Sequence, residues 1–326
     1  MNMKKLFTLI LVISFVTTIS FFNVQRNEKI PTVAIANYGP HSSLDASIKG
    51  VKEELTRSGF IENKKIKYEI ADVGFDSSLI PQMISKLKSS KPKVMVVMTT
   101  PVAQFAKGSV KKIPLVYSVI TDSVEAGLIN KSHRASSNMT GSSDKQDLRA
   151  VLKFARKIIP KAKTVGLLYA TAESNDVALV RMMREAAKQM GFKVVAVPID
   201  QARDIPIRMQ SFKGKVDFIY VGTSGPIQPT LPVIAVESNK MGIPIINADD
   251  RAVKDGMVLA SFGVDYIKVG NNTGKLVAKI LNGADVSTLV PLYPKPKDHR
   301  GFINRKKAKE AGISIPKGLT NLFIVG

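Results

Sequence analysis

The sequence predicts an α/β protein built from two doubly wound parallel-sheet lobes with a cleft between them. From residue 30 onward, short apolar runs rich in β-branched residues alternate with amphipathic segments. Continuous apolar runs of this kind are typical of parallel strands that are buried on both faces. The alternation restarts after Gly141, so the chain contains two such blocks rather than one.

The first block predicts four strands and the helices between them. The strands are expected over residues 32–36, 66–71, 94–98 and 115–120. The segment after Ser42 and Ser43 predicts a helix because its apolar residues recur at helical spacing. These residues are Leu44, Ile48, Val51 and Leu55.

The second block repeats this pattern. Its strands are expected over residues 165–169, 194–197, 218–221 and 243–246, and its helices over residues 151–159, 177–190 and 233–241. The polar run over residues 130–143 is the predicted linker, and a late helix follows Gly263 and ends near Leu281. We therefore expect residues 31–142 plus 262–284 to form lobe 1, and residues 143–261 plus 285–326 to form lobe 2.

The chain is strongly basic, with 48 Lys and Arg against 26 Asp and Glu and a formal net charge of +22. Such a charge raises the question of nucleic-acid binding. The basic residues are spread along the whole chain, however, without an arginine-rich arm or an alternation of basic and aromatic residues. We interpret the charge as a basic solvated surface and expect no nucleic-acid partner.

The N-terminus has the pattern of an export signal. Lys4 and Lys5 precede an uncharged apolar stretch over residues 6–22, and charged residues follow it. We expect residues 1–29 to be either a cleaved signal peptide or an uncleaved anchor, although the stretch is short for a membrane span of about 20 residues. The chain has no cysteine, which excludes disulfides and a lipid-modified cysteine. These features predict a periplasmic or otherwise extracytoplasmic protein, either free or associated with the inner membrane through residues 6–22.

Signatures of catalysis are weak along the chain. The three histidines, His41, His133 and His299, are far apart and lack the spacing of metal ligands. The sequence has no G-x-S-x-G motif and no G-x-G-x-x-G motif after a strand. We therefore expect no enzyme, no metal site and no cofactor.

Candidate binding residues follow the predicted strands, because ligands of open α/β sheets bind beyond the carboxyl ends of the strands. Thr99 and Thr100 open a helix whose free N–H groups and dipole attract an anion such as a carboxylate. The alternative is that Thr100 only caps this helix. Asp122 follows the next strand, where it is either the partner of a ligand ammonium or a helix cap.

The second block and the tyrosines supply further candidates. Asn175, Asp176 and Asp249 occupy equivalent places after strands of the second block. Tyr38 and Tyr169 lie at or near strand ends, where a ring can stack on a ligand or simply pack against the fold.

Several short stretches occur in a familiar order and at familiar spacing. They are residues 41–45 (HSSLD), 100–104 (TPVAQ), 121–128 (TDSVEAGL), 138–141 (NMTG), Leu168 and Tyr169 with Asn175, and residues 263–266 (GVDY) followed by Gly270, Thr273 and Gly274. Together they resemble the ABC-transporter substrate-binding proteins of the tryptophan/tyrosine type. The resemblance covers nearly everything from residue 30 to residue 316.

The resemblance implies a type I periplasmic-binding fold with three crossings between the lobes. It also implies an extracytoplasmic protein that hands a small ligand, often an aromatic amino acid, to the permease subunits of an ABC importer. The candidate ligand-binding residues are then Tyr38, His41, Thr99, Thr100, Asp122, Tyr169, Asn175, Asp176, Thr223 and Asp249. The sequence departs from the family pattern at Pro40, at Asp176 and over residues 223–225, so the identity of the ligand stays open.

We expect the ligand to be a small zwitterion, such as an amino acid, held across the cleft. Its carboxylate would meet the helix start at Thr99 and Thr100, and its ammonium would meet Asp122, Asp176 or Asp249. The alternative function is a ligand-sensing ectodomain that partners a membrane signalling protein. A DNA-binding regulator of the same fold would carry a helix-turn-helix where the hydrophobic segment stands.

Overall fold

The computed structural model describes residues 30–132, 134–316 and 322–326. The predicted signal or anchor over residues 1–29 lies outside the described residues, as does His133. Within the described ranges, no helix is long and apolar enough to cross a membrane.

Two separate sheets form the two lobes. In the described residues the first sheet has five strands, in the order β2-β1-β3-β4-β5, all parallel. These strands are β1 (Thr32–Ala36), β2 (Lys67–Ala71), β3 (Val94–Met98), β4 (Leu115–Ile120) and β5 (Met139–Ser143). Every residue of β1, β3 and β4 is buried, which explains their continuous apolar sequences.

The second sheet has seven described strands, in the order β12-β11-β10-β9-β8-β6-β7. They are β6 (Thr164–Ala170), β7 (Lys193–Ile199), β8 (Phe218–Val221), β9 (Ile245–Asn247), β10 (Ala260–Val264), β11 (His299–Asn304) and β12 (Leu322–Val325). The first five are parallel, and β11 and β12 run antiparallel to them. The predicted fold of two lobes with parallel sheets is confirmed, with this antiparallel addition at one edge.

Helices cover the faces of both sheets. They are α1 (Ser42–Arg57), α2 (Ile80–Ser89), α3 (Thr100–Ser109), α4 (Leu148–Ile158), α5 (Ser174–Met190), α6 (Ile205–Met209), α7 (Leu231–Met241), α8 (Arg251–Lys254), α9 (Tyr266–Leu281) and α10 (Arg305–Glu310). Single 3₁₀ turns occur at Ser77–Leu79, Ala202–Asp204, Gln210–Phe212, Gln228–Thr230, Val286–Thr288 and Pro296–Asp298. Each sheet has a cluster of buried apolar side chains on either face.

The chain passes between the lobes after β5, after β10 and again before β11. Helix α9 returns to the first lobe and packs against α1, and glycines allow this close approach. A Cβ on Gly270 would lie 2.0 Å from the carbonyl oxygen of Ser47 in α1. Strand β10 stays in the second sheet to Val264, and Leu292 still bonds to β5. We therefore place the second and third crossings slightly after residues 262 and 285.

The predicted linker over residues 130–143 is partly wrong, since its last five residues form the buried strand β5. The sequence of this strand, MTGSS, is polar, so it lacks the apolar pattern of a buried strand. Two of its three hydroxyl groups have partners within the fold: Thr140 Oγ1 donates to the carbonyl of Leu289, and Ser143 Oγ donates to that of Ile120. Gly141 is required here, because a Cβ would lie 2.3 Å from the backbone of Tyr117.

Candidate functional site

A cavity lies between the lobes, beyond the carboxyl ends of β1, β3 and β4. The space between its walls, open mouth included, is about 500 Å³. The first lobe lines it with Tyr38, His41, Ser43, Leu44, Phe75, Thr99, Thr100, Val119 and Thr121. The crossings supply Asp144 and Tyr266, and the second lobe supplies Glu173, Asn175, Thr223, Ser224, Gly225 and Gln228. We call this the inter-lobe cavity.

Strained backbone forms part of the first-lobe wall. In the described residues, five non-glycine residues have positive φ, and three of them line the inter-lobe cavity: Phe75 (67°), Thr99 (72°) and Val119 (57°). Such conformations cost about 1–3 kcal/mol each and persist only where surrounding contacts impose them. Here the N–H of Thr99 donates to the carbonyl of Ser118 (3.0 Å), which joins the ends of β3 and β4. The fold therefore fixes the shape of this wall.

Asp144 is the most deeply buried carboxylate of the cavity, with 1% of its surface exposed. It follows β5 in the first crossing, and its Oδ2 accepts a hydrogen bond from the Tyr266 hydroxyl (3.3 Å). Burial raises its pKa to about 6, although the bond from Tyr266 acts in the opposite direction. At neutral pH, Asp144 therefore presents a negative charge that is shielded from water.

Glu173 supplies a second carboxylate, from the loop between β6 and α5. It is 7% exposed, and its Oε1 accepts a hydrogen bond from the Tyr38 hydroxyl of the first lobe (3.0 Å). Burial raises the pKa of Glu173 above its usual value. The same contact and burial raise the pKa of Tyr38, so its hydroxyl keeps its proton and bridges the lobes as a donor.

Three acceptor oxygens in the cavity lining have no hydrogen-bond partner among the described residues: Asp144 Oδ1, Asn175 Oδ1 and Gln228 Oε1. The amide nitrogens are already used, since Asn175 Nδ2 donates to Asp176 (3.0 Å), and Gln228 Nε2 donates to Gly222 (2.8 Å) and Asn247 (2.7 Å). A buried unsatisfied acceptor costs about 1–3 kcal/mol. No lysine or arginine is among the described lining residues, so the cavity is suited to a ligand that brings positively charged donors.

His41 lines the cavity as an uncharged group. Its Nδ1 accepts the N–H of Ser43 (3.3 Å) at the start of α1. Burial lowers the pKa of His41, and the nearby carboxylates only partly offset this effect. The imidazole therefore adds no positive charge to the cavity at neutral pH.

The structure brings together six of the ten residues selected from the sequence. Those that line the inter-lobe cavity are Tyr38, His41, Thr99, Thr100, Asn175 and Thr223. Thr99 and Thr100 lie at the start of α3 as expected, with no side chain capping this helix end. The first-turn N–H groups of α3 consequently remain available to an anion.

The other four predicted residues lie outside the cavity lining, each because its side chain has another partner. Asp122 caps the turn at Val124 and Glu125 and pairs with Lys145 (3.1 Å). Tyr169 packs against the core of the second lobe. Asp176 is buried behind the cavity, where it accepts the Ser224 hydroxyl (2.6 Å), and burial raises its pKa to about 7. Asp249 bonds to Ser42 and Ser43 across the lobes.

Sequence reasoning missed Asp144, Glu173 and Gln228. Asp144 directly follows β5, whose polar sequence does not predict a strand. Glu173 stands two residues before Asn175, inside a loop that was recognised, and its acidic side chain was the available signal. Gln228 lies in a 3₁₀ turn without a pattern that would single it out.

Comparison with known proteins identifies the family. A family model described as ABC transporter substrate binding protein matches residues 32–322. The chain belongs to this family. It is 30% identical over 263 residues to a tyrosine-binding protein of Clostridioides difficile, covering 81% of this chain and 76% of that protein. The predicted family resemblance is thus confirmed. These relatives are solute-binding proteins rather than enzymes, and substrate-binding proteins of ABC transporters act outside the cytoplasm.

Two solved structures show similar folds, one with a bound ligand and one without. An ABC domain from Streptococcus pneumoniae in complex with L-Trp matches with a TM-score of 0.84 and 26% identity, covering 90% of this chain and 99% of that one. A ligand-free, open substrate-binding protein from Clostridium difficile matches with a TM-score of 0.71 and 30% identity, covering 91% and 99%.

Proposed function

We propose that this substrate-binding protein binds an aromatic amino acid in the inter-lobe cavity and delivers it to an ABC importer. The observation that carries the proposal is the trio of unpartnered acceptor oxygens, Asp144 Oδ1, Asn175 Oδ1 and Gln228 Oε1. A primary ammonium has three N–H donors and one positive charge, which suits this trio. The relatives that bind tyrosine and L-Trp support an amino acid as the ligand.

The start of α3 is the proposed site of the ligand carboxylate. The first N–H groups of a helix lack intrahelical partners, and the helix dipole favours a negative charge there. Pro101 has no N–H, so Thr100 and Val102 supply the donors nearest to the unpaired Thr99 hydroxyl. A zwitterion would thus place its carboxylate on the first lobe and its ammonium on the first crossing and the second lobe.

The remaining lining favours an aromatic side chain. Tyr38 and Phe75 pack edge to face, with ring centroids 5.6 Å apart and an interplanar angle of 82°. Leu44 and Val119 add aliphatic surface, and Tyr266 adds a third ring. Aromatic pairs in such geometry add roughly 0.5–1.5 kcal/mol beyond the burial of their area, so a ligand ring fits this environment.

The family and the export pattern of residues 1–29 support the proposed delivery to permease subunits. Closure of two lobes around a ligand gives a membrane partner a shape to recognise. No observation favours the alternative of a sensor ectodomain.

Calorimetry with the protein lacking residues 1–29 tests the proposed function. The protein is first unfolded and refolded to release bound molecules, which mass spectrometry then identifies. L-tyrosine, L-tryptophan and L-phenylalanine are titrated, with L-glutamate and glucose as controls. We expect at least one aromatic amino acid to bind and both controls to fail. Binding of glucose or glutamate, with no heat from the aromatic amino acids, would contradict the proposal.

A further inference from the structure

Direct side-chain contacts join the two lobes at several places besides the Tyr38–Glu173 bond. Gln104 lies 3.4 Å from Ser174, and Arg181 forms an exposed ion pair with Glu125 (2.5 Å). Exposed ion pairs contribute little, typically 0–1 kcal/mol. The contact made by Asp249 differs from these, because its side chain is buried, with 5% of the residue exposed.

Asp249 belongs to the second lobe, between β9 and α8, and its two oxygens have different partners. Its Oδ1 accepts the N–H of Arg251 in the same loop (2.7 Å). Its Oδ2 accepts the hydroxyls of Ser42 (3.1 Å) and Ser43, the first two residues of α1 in the first lobe. A carboxylate at a helix N-terminus also gains from the helix dipole, so each lobe supplies one half of a charge-assisted contact.

We infer that Asp249 is a positioning residue that sets ligand affinity by holding the lobes closed, without touching the ligand. The inference rests on the proposed binding in the inter-lobe cavity. Asp249 is not among the residues that line this cavity; it lines a neighbouring one on the other side of Ser43 and Tyr266. The bonds from Oδ2 span the lobes, so opening the cleft must break both of them.

This position gives Asp249 a kinetic effect on binding. A ligand enclosed between two lobes leaves only after the lobes open, and hydrogen bonds to a charged group are about twice as strong as neutral ones. Loss of the Asp249 contact therefore speeds opening and raises the dissociation rate. The association rate changes less, because the ligand enters the open form.

The test compares Asp249→Asn with Asp250→Asn. Asp250 is the adjacent carboxylate, but its ion pairs with Lys254 (2.8 Å) and Arg300 (3.8 Å) stay within the second lobe. Stopped-flow dissociation is measured with L-tyrosine, or with L-tryptophan if that binds more tightly. We expect Asp249→Asn to raise the dissociation rate about tenfold or more, and Asp250→Asn to change it less than twofold. Small-angle scattering of the unliganded proteins should give a larger radius of gyration for Asp249→Asn alone.

Ser42→Ala removes one hydroxyl donor of the same contact from the first lobe. This variant replaces Asp249→Asn in the test if Asp249→Asn does not fold. It should also raise the dissociation rate, and the double variant should show less than the product of the two single effects. Unchanged dissociation and scattering in Asp249→Asn, or equal increases in Asp249→Asn and Asp250→Asn, would overturn the inference. If the wild-type protein binds no aromatic amino acid, the proposed function fails, and the unliganded scattering alone decides whether Asp249 holds the lobes together.

Discussion

Replacing Asp144 by asparagine should weaken ligand binding more than any other single exchange of a carboxylate in this protein. Asp144 is 1% exposed, so water does not screen its charge. Truncating one partner of a buried, hydrogen-bonded charge pair costs about 2–5 kcal/mol, and about 1.4 kcal/mol corresponds to a tenfold change. Glu173 and the two amide oxygens remain in the variant, which favours the lower end of this range. We therefore expect the dissociation constant to rise roughly thirtyfold.

Calorimetry at pH 7.5 measures this effect, with Asp122→Asn as the matched control. Asp122 also follows a first-lobe strand, but it caps a turn outside the cavity, so its exchange should change affinity less than threefold. Because the pKa of Asp144 lies at about 6, wild-type affinity should fall as the pH drops from 7.5 to 5. The fall should be smaller in Asp144→Asn. A normal affinity in Asp144→Asn, or a large loss in Asp122→Asn, would refute the assignment of the ammonium site.

Burial raises the pKa of Asp176 to about 7, so the folded protein favours protonated Asp176, and the stability that this provides is lost as the pH rises through 7. The melting temperature of wild type should therefore rise from pH 8 to pH 5.5, and Asp176→Asn should make this rise smaller. A Cβ on Gly225 would lie 2.5 Å from the Tyr38 ring, so Gly225→Ala should hinder closure of the lobes. Calorimetry should show ligand binding weakened at least tenfold. Gly108→Ala is the control, because a Cβ there meets open space, and it should leave binding unchanged. Gly270→Ala should lower the free energy of unfolding by about 1–3 kcal/mol in urea titrations, because it forces α1 and α9 apart.

Much of the fold could be predicted because its buried strands are apolar and continuous. The runs over residues 32–36, 94–98 and 115–120 coincide with β1, β3 and β4. The strand β5 could not be recognised, because four of its five residues are threonine, glycine and serine, so the strand lacks an apolar pattern although it is buried. The strand β11 (His299–Asn304) was not predicted for a related reason, since it begins with His299 and Arg300 rather than with apolar residues.

The lining of the inter-lobe cavity could be predicted only in part, because the position of a residue after a strand does not determine the direction of its side chain. Thr99 and Thr100 lie at a helix start in the cavity, as expected. Asp122 also follows a strand, but its carboxylate accepts the N–H of Val124 in its own loop instead of facing the cavity. Which acidic residue faces the cavity depends on such local bonds, and these become visible only in three dimensions. Asp144 was not selected from the sequence because β5, the strand directly before it, was not predicted.

The most direct test of the account is a crystal structure of the protein with the aromatic amino acid that it binds most tightly. We predict that the ligand lies in the inter-lobe cavity, with its ammonium nitrogen within about 3.2 Å of Asp144 Oδ1, Asn175 Oδ1 and Gln228 Oε1 and its carboxylate at the start of α3. A ligand in the reverse orientation, or one bound outside the inter-lobe cavity, would contradict the account.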